Sequence, residues 1–388
     1  MKILILGYGR SGKAIDRFLL KNNIIASIYD DNYPPLGRFF NYNRLSNLMT
    51  QFDLCIRTPG ITKINKAYFL ANSLSKKIVS DLEFSLMFVK SKHLIGVTGS
   101  NGKTTTCKLI NHFLKDKYNT HVLGNNDFPI IEYVERIQED DIVILEISSF
   151  MLEDTSNIDL EVGIITSLCE NHLNQTFDYQ SYLGYKKRIK FFSKTFISNF
   201  KVSKILNIEF SNNNINLDKF RKLVSKTNLG NLELAICCVS KYGVTEKEII
   251  DKLPSFKLDK YRQEIVHTYE GLTFINDSKS TTVESTNKAI EEFDNKPIIL
   301  ILEGVLKSNN TDNLRLDKCE KVYGYGQLSK YLKNIINKET LEEILYDIKI
   351  NYTNCNILFS PVGASLDLYS SYKERGEHFD KLVKSLWK

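Results

Sequence analysis

The sequence predicts an α/β protein in three domains. Three observations carry that expectation. Short apolar runs suited to buried parallel strands recur along the chain. Two glycine-rich turns each join such a run to a helical pattern. Strand and helix signals then alternate to the C-terminal end.

Lys2 to Leu6 is the first apolar run. It ends in Gly7-Tyr8-Gly9-Arg10-Ser11-Gly12, and Ala14, Ile15, Phe18 and Leu19 follow at helical spacing. A second run, Ile24 to Tyr29, ends in Asp30-Asp31. A third, Leu54 to Ile56, stops at Thr58-Pro59-Gly60, where Pro and Gly punctuate a turn. This opening is Rossmann-like and assigns a first domain to 1–90. Leu94 to Val97 starts the next unit, feeding a second glycine-rich turn and a helix from about Thr104. Ile142 to Leu145 and Val162 to Ile165 are further strands, and the polar, Asn-rich segment Asn207 to Asn216 reads as a surface loop. The central domain, 91–253, is therefore expected to be P-loop ATPase-like with a parallel sheet. In the last unit, 254–388, strands are expected at Leu272 to Ile275, Pro297 to Leu302, Lys321 to Tyr323 and Asn356 to Phe359. Leu328, Leu332, Ile335 and Ile336, then Leu341, Ile344, Leu345 and Ile348, recur at helical spacing between the last two. That alternation predicts a C-terminal Rossmann-like α/β domain.

The 388 residues, 42% hydrophobic and 25% charged, have the composition of an ordinary globular protein, long enough for two or three cores. No apolar run approaches the ~18 residues that span a bilayer, so no membrane insertion is expected. Met1 to Leu6 runs straight into Gly7 without a cleavage site, and the seven cysteines lack CxxC or Cys/His metal spacing. Both point to a cytoplasmic protein with reduced thiols. A net charge of +6 is small for this length and gives no reason to expect a nucleic-acid partner.

Five constellations carry chemistry. Gly7 to Gly12 is a complete GxGxxG after a strand, with Asp30 at the end of the next strand. Taken alone it predicts a dinucleotide, the glycines admitting a pyrophosphate to the helix start and the carboxylate taking ribose hydroxyls; a purely structural turn is the alternative. Thr98-Gly99-Ser100-Asn101-Gly102-Lys103-Thr104-Thr105 is a more specific signal. Its backbone N–H groups can wrap a triphosphate, Lys103 offsets the β and γ oxygens and the Thr104 hydroxyl holds Mg²⁺, although Val97 stands where the first glycine of the usual spacing would be. Glu146 ends an apolar strand and offers a hard oxygen ligand. His172, and Lys186 further along, stand out only by type, and spacing alone assigns neither. Asn276 to Thr281 follows a strand with short polar and charged side chains, a composition that fits an anion site and a turn equally well.

Together and in this order these motifs resemble those of the Mur ligases, over a span from Gly7 to Gly376, and within them the members that add D-glutamate. Thr58-Pro59-Gly60-Ile61, Ser80-Asp81-Leu82-Glu83, Gly124 to Pro129, Glu146 to Glu153, Tyr182 to Ile189, Asp277 to Thr281 and Ser360 to Asp367 are all similar to segments of that family, as is Glu374-Arg375-Gly376. The resemblance implies that the first domain holds UDP rather than NAD. Gly7, Gly9, Ser11, Asp30 and Asp31 would lie at the uridine end and Asn125 at the muramoyl-alanine part. It implies ATP binding by Gly99, Ser100, Asn101, Gly102, Lys103, Thr104 and Thr105, with Asn228 and Asn231 near the adenine, and by Arg262 and Asp277. Two Mg²⁺ sites would draw on Thr104, Glu146, His172 and a carbamate on Lys186. Lys103, Lys186, His172 and Lys279 would be catalytic. Thr281, Lys307, Ser365 and Tyr372 would hold D-glutamate. The implied partners are UDP-N-acetylmuramoyl-L-alanine and D-glutamate, and the enzyme would work as a monomer. Asn171, Asn174, Met151, Tyr261, Glu303 and Leu306 depart from the family pattern. Three alternatives stay open: a relative adding another amino acid, a polyglutamate synthase, and a non-catalytic sensor of UDP-sugars.

Overall fold

The computed structural model describes residues 1–125, 128–169, 178–208, 217–220, 225, 228–293, 295–306, 311, 313–332 and 334–388. They form two compact units. The first consists of Met1–Leu168, Gln175–Phe220 and Asn228–Pro254; the second is mainly Ser255–Lys388. Among the described residues no helix is long and apolar enough to cross a membrane, and Cys55, Cys107, Cys238, Cys319 and Cys355 form no disulfide.

The first unit contains two parallel sheets. In one, β1 (Ile3–Leu6), β2 (Ser27–Tyr29), β3 (Phe39–Phe40), β4 (Leu54–Arg57) and β5 (Ile78–Ser80) lie in the order β3-β2-β1-β4-β5. All four residues of β1 are buried. Because side chains alternate across a strand, Ile3 and Ile5 pack with Ala14, Ile15 and Leu19 of the helix Arg10–Lys21, while Leu4 and Leu6 pack with Ala67 and Ala71 of the helix Lys66–Ser73. The run expected from Ile24 becomes a strand only at Ser27. Asn23 takes a positive φ of 60° after the helix ends, and Ile25 is exposed while the chain turns back to the sheet.

The second sheet comprises β6 (His93–Thr98), β7 (Thr120–Gly124), β8 (Ile142–Glu146), β9 (Leu160–Ile165) and β10 (Ser193–Ser198), in the order β10-β9-β6-β8-β7, all parallel. Asn207 closes the helix Phe200–Leu206 in a left-handed conformation; residues 209–216 of the expected loop lie outside the described residues.

The second unit has one mixed sheet of β11 (Glu264–Tyr269), β12 (Leu272–Asn276), β13 (Ile298–Glu303), β14 (Lys321–Gly324), β15 (Ile336–Asn337) and β16 (Asn356–Val362), in the order β11-β12-β16-β13-β14-β15. Only the hairpin β11–β12 is antiparallel, turning at Glu270 and Gly271, which both have positive φ. The helix expected over Leu328 to Ile336 is not formed. Leu328–Lys330 is a single 3₁₀ turn, Asn334 takes a φ of 66° that a helix excludes, and Ile336 enters the edge strand β15. The helix Leu341–Asn351 follows as expected, burying Leu341, Ile344, Leu345 and Ile348.

Candidate functional site

In both sheets of the first unit the candidate residues stand at the C-terminal strand ends, around the point where the strand order reverses. In the first sheet they surround a cleft of about 620 Å³ whose walls include Gly7, Gly9, Arg10, Ser11, Asp30, Asp31, Pro59, Asn65 and Asn125. All six residues expected at the UDP site therefore line one cavity. Arg10, which sequence reasoning passed over, adds a guanidinium-bearing residue to its wall.

The glycines divide the labour. Gly7 has a φ of +98°, and a Cβ there would meet Thr58 Oγ1 at 2.3 Å; a Cβ on Gly12 would lie 2.1 Å from the Gly7 carbonyl oxygen. These two allow close packing of helix on strand. A Cβ on Gly9 meets nothing within 4 Å, and Gly9 caps the helix Arg10–Lys21 without a side-chain bond, so the helix start faces the cleft. Gly12→Ala is therefore expected to cost stability, about 1–3 kcal/mol from overpacking, visible as a lowered midpoint of thermal unfolding. Gly9→Ala should cost much less stability than Gly12→Ala and raise the KM of a ligand bound in the cleft.

Asp30 is held in place by backbone donors: Tyr8 N–H to Oδ2 at 2.8 Å and Asn32 N–H to Oδ1 at 2.9 Å. Asp31 accepts from the Tyr29 hydroxyl at 2.6 Å. Next to the cleft a smaller cavity is lined by Ser11, Asp81, Asn125 and Met151. Burial pushes the Asp81 carboxyl up to about 6, against the Ser11 hydroxyl and the Arg57 charge, which favour its ionised form.

Beyond β6 the loop Gly99–Gly102 leads into the helix Lys103–Leu114. Gly99 (φ +147°) has no room for a Cβ beside Thr166, and Gly102 (φ +87°) none beside Asn231, whose Oδ1 lies 2.2 Å from that position. Asn231 also donates to Asn228 Oδ1 at 3.1 Å. The loop is tied to the end of β9: Ser100 N–H donates to the Ser167 carbonyl at 2.8 Å and Asn101 N–H to Ser167 Oγ at 2.9 Å. Thr166 and Ser167 belong to no motif, and nothing in the sequence singled them out. Lys103 Nζ donates to the carbonyls of Gly99 and Ser100 at 3.0 and 3.1 Å. Lys186, on the helix Tyr179–Phe191 and 2% exposed, reaches the same Gly99 carbonyl at 2.9 Å. Two ammoniums thus converge on one loop carbonyl.

Glu146 ends β8 and is 4% exposed. Its Oε1 accepts from Asn125 Nδ2 at 3.3 Å, while its Oε2 is buried without a hydrogen-bond partner among the described residues. An orphaned carboxylate oxygen fits a hard divalent cation. The described residues contain no group of three or more His, Cys, Asp or Glu able to hold a metal. A cation here would draw on Glu146 and the Thr104 hydroxyl, with further ligands brought by a nucleotide, which is how Mg²⁺ is commonly held.

In the second unit the candidates gather at the ends of β12 and β16. Asp277 is buried; its carboxylate accepts from the Ser360 hydroxyl at 2.8 Å and Gln263 N–H at 3.2 Å, and burial pushes it up to about 6. Arg262 acts against that shift and pairs with Asp259 at 3.9 Å. Lys279 lies over the Tyr372 ring, 3.8 Å from its centre. Ser365 is buried beside the β16 turn, and Thr281 is half-buried at the end of the β12 loop. His172, Lys307, Asn171 and Asn174 lie outside the described residues.

Comparison with known proteins agrees with this geometry. The Mur ligase middle domain family matches residues 97–233. A UDP-N-acetylmuramoylalanine--D-glutamate ligase of Petrotoga mobilis is 31% identical over 99% of this chain and 99% of its own length. Its counterpart from Francisella philomiragia is 31% identical over 99% of this chain and 97% of its own. Among solved structures, a pseudomurein peptide ligase type C from Methanothermus fervidus superposes with a TM-score of 0.60 at 17% identity, covering all of both chains. A UDP-N-acetylmuramate-alanine ligase from Thermotoga maritima gives 0.59 at 16%, again over both full chains. The glycine-rich loop and cleft thus stand in a chain that aligns end to end with these relatives, and that chain belongs to the Mur ligase family.

Proposed function

We propose that the protein is an ATP-dependent ligase that joins D-glutamate to UDP-N-acetylmuramoyl-L-alanine in peptidoglycan precursor synthesis. Asn125 carries this reading. It lines the cleft at the end of the first sheet and donates to Glu146 at the end of the second. A cleft sized for a nucleotide-sugar and the buried Glu146 carboxylate that would hold the nucleotide's cation therefore meet at one residue, as transfer of phosphate to a cleft-bound carboxylate requires.

In this mechanism 1–90 holds the UDP end, 91–253 the ATP and 254–388 the amino acid, in a monomer. Gly7, Gly9, Ser11, Asp30 and Asp31 seat the nucleotide, with Arg10 beside its diphosphate, and Asn125 orients the alanyl carboxylate. That carboxylate attacks the γ-phosphorus, ADP leaves, and the unprotonated amine of D-glutamate attacks the acyl phosphate; phosphate departs and the amine gives up a proton. Gly99 to Thr105 wrap the triphosphate, and Lys103 offsets the charge that builds as two anions approach. Bound Mg²⁺ would add Lewis-acid neutralisation of the phosphates, held by Thr104, Glu146, His172 and Lys186. Lys186 fits a metal-supporting role as a carbamate, since that form replaces an ammonium near Lys103 with a carboxylate; incubation with ¹³C-bicarbonate should give a carbamate carbon signal that Lys186→Ala removes. Asn231, Arg262 and Asp277 serve the nucleotide, and Lys279 the transferred phosphate. Thr281, Lys307, Ser365 and Tyr372 receive D-glutamate.

Lys307→Ala should raise the KM for D-glutamate by about tenfold or more and leave that for ATP nearly unchanged, as loss of one charge-assisted bond to a carboxylate implies. The reading as a whole is tested by mass spectrometry of the product. Formation of ADP and the D-glutamyl product only when all three substrates are present is expected, and ATP hydrolysis indifferent to D-glutamate would overturn it.

A further inference from the structure

At the end of β13, Glu303 meets Arg375 of the helix Tyr372–Leu386, and neither side chain is exposed at all. Arg375 spends its remaining donors on two loops. Its Nε and Nη2 reach Ser278 Oγ at 3.0 Å and the Ser278 carbonyl at 2.7 Å, and Nη1 reaches the Gly363 carbonyl at 3.1 Å as well as Glu303. Ser278 sits within the segment from Asp277 to Thr281. Gly363 leads into Ala364, which bridges Val305 in both directions at 2.8 Å, and then into Ser365. One guanidinium thus clamps the two loops that carry Thr281 and Ser365, residues that the ligase reading gives to the amino acid.

A second carboxylate, Asp367, lies beside Glu303. Asp367 takes the Gln327 N–H on Oδ2 at 3.0 Å. Gly326 stands between the two carboxyls: a Cβ there would lie 2.8 Å from Asp367 Oδ2 and 3.7 Å from Glu303 Cγ. Yet Glu303 Oε1 and Asp367 Oδ1 are each buried with no donor among the described residues. Two ionised carboxylates cannot donate to one another, and Arg375 balances only one of them. The two carboxyl groups lie within hydrogen-bonding reach of each other, and a single proton shared by them removes the conflict and leaves the cluster neutral.

We propose that Glu303 and Asp367 share one proton and, through Arg375, act as positioning residues that hold the 277–281 loop and the Ser365 turn in their binding-competent arrangement. This rests on the ligase reading. The other groups facing Glu303 are the phenols of Tyr325 and Tyr369, whose hydroxyls are 3.2 Å apart. Tyr369 continues to His378 at 2.8 Å and His378 to Glu342 at 3.1 Å. Burial, aided by the bond to Asp367 and opposed by Arg375, pushes Glu303 up to about 8. The proton belongs to the pair rather than to either side chain. A carboxyl raised in the folded state stabilises the fold fully below its ordinary value of 4.5, and that contribution fades as pH rises through about 8.

The test compares the wild type with Glu303→Gln, Glu303→Ala and Asp367→Asn. Glutamine copies the proton-bearing acid, because its oxygen accepts from Arg375 and its amide donates to Asp367. Glu303→Ala should raise the KM for D-glutamate about tenfold or more, with a smaller rise for ATP through Asp277, and Glu303→Gln should recover most of that loss. The wild-type kcat/KM for D-glutamate should fall on the alkaline side near pH 8, a limb that Glu303→Gln abolishes and Asp367→Asn displaces. If Glu303→Gln is as damaged as Glu303→Ala, or keeps the wild-type limb, the shared proton is refuted. Thermal unfolding without substrates decides independently. The wild-type midpoint should fall more steeply than that of Glu303→Gln between pH 5 and 8, and coincident slopes refute the proposal. A wild type that ligates no D-glutamate would instead overturn the substrate reading while this comparison still judges the proton.

Discussion

Lys103→Ala is expected to lower kcat for ligation by on the order of 10²–10³-fold or more while leaving the fold intact. Lys103 is the first residue of the helix Lys103–Leu114, where alanine is well tolerated, and its ammonium donates to the loop carbonyls of Gly99 and Ser100. In the proposed mechanism it supplies a positive charge at the mouth of the Gly99–Gly102 loop, where the γ-phosphate accepts the attacking carboxylate. Circular dichroism melts alongside phosphate release would separate the two effects. Near-normal turnover in a folded variant would remove the phosphate loop from the chemistry.

The second large effect concerns stability. Arg57→Ala should destabilise the first unit by about 3–5 kcal/mol, the usual result of stripping one partner from buried charges. Arg57 ends β4 and its side chain is fully buried. It pairs with Asp154 at 2.5 Å and Glu153 at 3.2 Å, donates to the Ile61 carbonyl at 2.7 Å, and also bonds the Phe150 carbonyl. Lys63 and Tyr68 add bonds to Asp154, each at 3.0 Å. Burial already holds Glu153 up at about 7, with Arg57 as the main opposing charge, so alanine leaves two neighbouring acids in a dry site. The same cluster fastens the first sheet to the helix Ser149–Glu153 beneath the cleft, and the KM for the UDP-substrate should rise together with the loss of stability. A denaturant midpoint within 1 kcal/mol of wild type would show that the cluster relaxes around the missing arginine.

The site was legible where chemistry demands a spacing. Gly7, Gly12, Gly99 and Gly102 are glycines because each stands where a Cβ would strike a neighbour, and that need leaves a signature in the sequence. Glu146 was legible because an acid at the end of an apolar strand has few structural reasons to be there. Thr166 and Ser167 escaped notice, since a short polar side chain that braces a loop through its backbone has no distinctive pattern. Glu303 and Arg375 are 72 residues apart, and their ion pair exists only because β13 and the C-terminal helix converge. Sequence could mark Glu303 as a departure but not say what it met. For the fold, the buried runs of β1, β8 and β13 were plain, whereas two-residue edge strands such as Phe39–Phe40 and Ile336–Asn337 carry too few side chains for a period to show. The apolar spacing from Leu328 to Ile336 misled because Asn334 adopts a left-handed conformation that spacing cannot register.

The most direct measurement is phosphate release by the purified protein with ATP, Mg²⁺ and UDP-N-acetylmuramoyl-L-alanine, offered a panel of amino acids one at a time. D-Glutamate should give the highest kcat/KM. L-Glutamate should be poor because its amine and side-chain carboxylate cannot both be placed, and D-alanine poor because it lacks the second carboxylate. If L-alanine or a diamino acid released phosphate faster than D-glutamate, family membership would stand and the assignment of the substrate would be contradicted.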